Sequence, residues 1–209
     1  MSRAHIVSPT ELRLRQFLKT KPRVATPVIA TLLRLDEWTR SIHAGEAESP
    51  LRRKLIARAT APDPIRQIAE NLIEHASGIE RDLLLKSVQE VLFYSLNFET
   101  GLNGAQIKTR LKQFLDHEKR STFIRQFLSF YFFNYVWYYT GEAFRAWALT
   151  SQVFEKEMEN VEKICEKMVA SAFRSHEREE AVLDRNAAKG LIHNVEQRLR
   201  GLDDQEGRL

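Results

Sequence analysis

The sequence contains a single cysteine, Cys165, so no disulfide can form within the chain and disulfide-stapled folds are excluded. A lone thiol fits a reducing, cytoplasmic location. Proline is absent beyond Pro64. Glycine is scarce, and neither a glycine-rich phosphate loop nor a Gly-x-Ser-x-Gly elbow occurs; Gly101 and Gly104 are too few and too far apart. The first ten residues lack the apolar run of a secretory signal. The uncharged stretch 126–141 falls short of the roughly twenty apolar residues needed to span a bilayer, and it includes Gln126, Ser129, Asn134 and Thr140. No histidine forms a His-x-x-x-His or Glu-x-x-His pair, so the spacing of metal-binding bundles is missing. No metal or other cofactor is expected.

What is present points to helices. Hydrophobic residues make up 43% of the 209 and charged residues 29%, enough for a core with a solvated surface. Four prolines follow a capping residue: Ser8-Pro9, Thr26-Pro27, Ser49-Pro50 and Asp63-Pro64. In each pair the side-chain oxygen can take an orphan amide, and proline at the first helical position has no amide to lose. Glu11, three residues after Ser8, completes a capping-box pattern. Apolar spacing then predicts helices over about 9–20, 27–43, 50–59, 64–76 and 79–97. Asn103 is placed to cap a sixth, carrying Ile107, Leu111, Phe114 and Leu115.

From Gln126 to Gly141 there is no charge and there are nine aromatic residues. Nothing else in the chain offers a partner strand, so this stretch is expected to form a central helix with Phe130, Phe133 and Trp137 at the middle of the bundle and a break or kink at Gly141. Phe154, Met158, Val161, Cys165, Met168 and Ala172 recur at spacings of four and three, a heptad seam. The seam serves either the chain's own bundle or a protein partner or second copy, with Phe154, Met158, Val161 and Met168 at that interface. A last, more polar helix is expected over about 178–200, and 201–209 is expected to form a disordered tail. The expectation is an all-α multi-helix bundle of about eight or nine helices around an aromatic-rich helix, in a single domain over 1–200.

Three chemistries remain to be weighed. Cys165 lies inside the apolar seam, where a thiol behaves as a small hydrophobe. Arg110 and His117 lie two helical turns apart on nearly one face. Their spacing resembles the Arg-x(4–6)-His signature of HEPN ribonucleases, although Leu111 stands where that family usually has a polar residue. The resemblance implies an all-helical, usually dimeric nuclease with His117 as acid/base and Arg110 on the phosphate; the alternative is two exposed structural charges.

Residues 1–60 hold twelve Lys/Arg against five acids, while the remainder is slightly acidic. Arg13, Arg15, Lys19, Lys21 and Arg23 form one run, and Arg52, Arg53, Lys54 and Arg58 a second. Several cations on one surface could contact phosphates, DNA or RNA alike; the alternative is an ordinary solvated face. The expected function is a non-enzymatic binding subunit, contacting nucleic acid through this basic part and protein through the C-terminal helices. A pure protein adaptor is the second reading and the helical ribonuclease the third.

Overall fold

A computed structural model describes residues 7–24, 26–43, 63–117, 120–174 and 183–201. Among the described residues there are eight helices and no strand. They are α1 (Pro9–Leu18), α2 (Pro27–His43), α3 (Pro64–Leu72), α4 (Gly78–Ser95), α5 (Gly104–His117), α6 (Arg120–Trp147), α7 (Ser151–Arg174) and α8 (Arg185–Arg200). The protein is an all-α assembly of packed helices with an aromatic cluster. No described helix is long and apolar enough to cross a membrane. The expected helix over 50–59 lies outside the described residues, as do residues 178–182 of the expected last helix and the tail beyond Gly201.

The chain divides into two compact units. The first draws on the described parts of Met1–Val24, Phe132–Glu177 and Gly190–Leu209. Here α1 opens on Ser8, whose Oγ accepts the Glu11 amide at 3.1 Å. The Glu11 carboxylate does not complete the capping box; it takes Arg15 Nη2 at 2.8 Å instead. α1 packs along α7. Leu14, Leu18, Phe144, Val161, Cys165, Val169, Leu191 and Val195 are fully enclosed. Phe17 meets Phe144 edge-on with centroids 5.0 Å apart, a favoured aromatic geometry.

The second unit draws on Ala25–Tyr131 and Arg178–Lys189. α2 packs against α3, α4 and α5, and α4 packs against both α3 and α5. Asp63 caps α3 through the Arg66 amide at 3.0 Å. Asn103 and Gln106 cap α5 reciprocally, at 2.9 and 3.0 Å, each side chain accepting the other's backbone amide. Leu32, Leu35, Leu72, Leu84, Val88, Leu92, Phe123 and Phe127 form the interior.

Three expectations are corrected. α3 ends at Leu72 rather than near residue 76. His75 Nε2 lies 3.0 Å from Pro27 O and 3.2 Å from Thr31 Oγ1, and this tie replaces the last helical turn with a bend. Gly141 does not break α6, which runs on to Trp147. A mid-helix glycine costs only about 1 kcal/mol relative to alanine, and the residue is buried with the Trp137 ring alongside it. Phe130 and Phe133 are half-buried and Trp137 is 37% exposed, so none of the three is at a core centre. The fully enclosed rings on α6 are Phe123, Phe127, Tyr131, Phe132 and Phe144. A helix turns about 100° per residue, so an unbroken aromatic run must send some rings outward.

Candidate functional site

The basic run of α1 is partly committed to the chain itself. Arg13 Nη2 lies 3.0 Å from Glu157 Oε2 on α7, and the guanidinium stacks over the Trp147 ring at 3.8 Å. Arg15 is paired with Glu11, which is only 3% exposed. Lys19 and Arg23 are exposed and Lys21 is half-buried; none of the three has an acidic partner among the described residues. Arg52, Arg53, Lys54 and Arg58 lie outside the described residues. A phosphate-facing surface in the described part of this region therefore reduces to Lys19, Lys21 and Arg23.

The segment that follows α1 is fastened by Arg200, the last residue of α8. Its Nη1 donates to Leu18 O at 2.7 Å and its Nη2 to Pro22 O at 2.6 Å. Nη2 also reaches the Tyr135 hydroxyl at 3.1 Å, and that hydroxyl donates to Pro22 O. Glu196 holds Arg200 Nε at 3.0 Å and accepts the Val24 amide at 3.2 Å. Burial pushes the Tyr135 phenol up to about 12, against the pull of the Arg200 charge. Carbonyls left over at a helix end are expensive to bury unpaired, and a guanidinium with a fork of donors satisfies several at once. This is a structural fastening; it leaves no open coordination for a substrate.

Along the heptad seam, Met158, Val161 and Met168 are buried within the first unit. Phe154 is half-buried, edge-on to Trp137 at 5.5 Å and beneath the Arg145 guanidinium at 5.4 Å. Cys165 is enclosed, and burial pushes its thiol well above the ordinary range, which suppresses the reactive thiolate. Large apolar groups instead reach solvent around the end of α6 and the start of α7. Trp147 is 41% exposed, Leu149 96%, Val153 40% and Tyr138 50%. Sequence reasoning missed Tyr138 because it sits in an aromatic run that reads as core, and it assigned the other three to no seam. The one available signal was Leu149, which follows the helix and precedes the polar Thr150-Ser151-Gln152.

In the second unit, Arg110 is exposed and paired with Glu99 at 3.1 Å. His117 closes α5, and its side chain lies outside the described residues. Asp36 is 2% exposed and is held by Arg40 Nε at 3.1 Å and Arg120 Nε at 3.2 Å. The Tyr131 hydroxyl donates to Glu80 Oε1 at 2.6 Å. Burial raises the Glu80 carboxyl above its ordinary range, and the Tyr131 hydrogen bond partly offsets this. Among the described residues, no three of His, Cys, Asp and Glu converge to hold a metal ion.

No family model, curated protein or solved structure matches the chain.

Proposed function

We propose that this chain is a non-enzymatic helical binding subunit that engages a protein partner through the end of α6 and the start of α7. The observation that carries this reading is the set of outward apolar side chains at Tyr138, Trp147, Leu149 and Val153. Exposed aromatic side chains are the ones that most often anchor protein interfaces. The seam residues Met158, Val161 and Met168 are buried in the first unit, which leaves these outward side chains as the partner-facing candidates. The test compares what co-purifies with the tagged full chain and with a Tyr138→Ser, Leu149→Ser, Val153→Ser variant of unchanged helical signal. A partner that is held by the wild type and lost by the variant supports the reading. Equal retention by both chains, or no partner with either, overturns it.

A second reading is nucleic-acid contact through the basic N-terminal part, favoured by Lys19, Lys21 and Arg23, which lack acidic partners among the described residues. Phosphate contacts release counterions, so affinity would fall steeply with salt. Replacing these three by Gln, together with Arg52, Arg53, Lys54 and Arg58, would then remove both the binding and its salt slope. Binding that is absent in the wild type at low salt, or that survives the substitutions, ends this reading.

A further inference from the structure

Within the first unit, Tyr138, Glu142 and Arg145 recur along α6 at spacings of four and three, which places them on one face of the helix. Leu149 continues the spacing by four, two residues past the helix end. All four reach solvent. The charged pair is the more exposed for its kind, with the Glu142 side chain 91% open and that of Arg145 64%. Glu142 Oε1 and Arg145 Nη1 lie 3.8 Å apart, too far for a hydrogen bond. Among the described residues neither charge has a closer ion-pair partner.

This line has the same layout from either end. Tyr138 and Leu149 are the outer members, Glu142 and Arg145 the inner ones, and each inner residue stands four positions from the outer one beside it. Two copies laid antiparallel across the midpoint would therefore set Glu142 of one against Arg145 of the other, twice over. The same registration sets each Tyr138 against a Leu149. A two-fold contact demands this self-complementarity, because the residue that i meets must itself meet i on the other copy. A facing copy can thus offer each charge a closer partner than its own chain does.

We infer, resting on the protein-partner reading above, that the partner engaged by this surface is a second copy of the chain, paired antiparallel along the end of α6. Charge complementarity selects both the partner and the direction. A parallel pairing would set Glu142 against Glu142 and Arg145 against Arg145. The apolar outer members supply the attraction, because exposed ion pairs contribute little by themselves. The contact runs for about 16 Å of helix. That is short for an obligate dimer, so association depends on concentration.

Analytical ultracentrifugation of the full chain over a wide concentration series tests this. The wild-type mass should rise from monomer to dimer. Glu142→Arg and Arg145→Glu should each weaken association about tenfold or more, since each sets like charges face to face twice, with the helical signal unchanged. An equimolar mixture of the two variants should recover wild-type association, and so should the double variant. The mixture separates a contact between chains from one within a chain. Neither variant keeps its own Glu142–Arg145 pair, yet each supplies the charge that the other lacks. A wild type that stays monomeric overturns the self-pairing, as does a dimer indifferent to both reversals or a mixture that fails to recover. A monomer that still retains a different protein through Tyr138 and Leu149 leaves the binding-subunit reading standing without the self-pairing; one that retains nothing overturns both.

Discussion

The Arg13 guanidinium lies 3.8 Å over the Trp147 ring while its Nη2 bonds the Glu157 carboxylate at 3.0 Å. One cation therefore joins α1 to both the end of α6 and the body of α7. Its Nε is buried and makes no hydrogen bond, so the stacking and the ion pair must together offset that loss. A double-mutant cycle on Arg13→Ala and Glu157→Ala should give a coupling of about 1 kcal/mol by chemical denaturation, at the upper end for partly exposed pairs. Additive effects would show that the pair contributes nothing beyond its parts.

Alkaline unfolding should report Tyr135. Burial pushes its phenol up to about 12, above the ordinary 10.0, so the folded chain holds this proton more tightly than the unfolded chain does. The stability this contributes is complete below pH 10 and is lost as pH rises toward 12. Tyr135→Phe should be less stable than wild type near neutrality, because Pro22 O loses a donor, but its stability should fall less steeply over that alkaline window. Parallel alkaline slopes for the two chains would contradict this assignment.

Glu80 offers a test at the acid end. Its carboxyl is raised above 4.5 in the folded state, mainly by burial. A raised carboxyl contributes stability that is full below the unfolded pKa and fades as pH climbs through the folded one. Glu80→Gln keeps an acceptor for the Tyr131 hydroxyl and removes the titration. Its stability relative to wild type should therefore rise between the acid range and neutrality. A constant difference across that range would count against the buried, reluctantly ionised Glu80 described above.

Gly141→Ala should stabilise the protein by about 0.5–1 kcal/mol in thermal or chemical denaturation, through the reduced freedom of the unfolded chain. A Cβ there meets only the Trp137 ring, at 3.9 Å, an ordinary van der Waals distance. Destabilisation would mean that α6 needs the glycine for close approach or for bending.

The helix starts were legible because each is written within a few residues. Ser8, Asp63 and Asn103 all cap as expected, and α2 spans the expected 27–43. The inward side of α6 was not legible. Where nearly every residue from 127 to 139 is large and apolar, periodicity vanishes, and only packing decides that Phe127 and Tyr131 go in while Tyr138 goes out. The fate of Arg13 was hidden for a different reason. Its partner Glu157 lies 144 residues further along the chain, and no local rule connects them.

Arg200 fastens residues 18–24 from the far end of the chain, and this has a consequence for synthesis on the ribosome. The carbonyls of Leu18 and Pro22 emerge early and wait for a guanidinium translated nearly two hundred codons later. Until then the stretch after α1 has no such anchor, and a nascent chain halted before residue 200 should expose it to proteases that spare the finished protein.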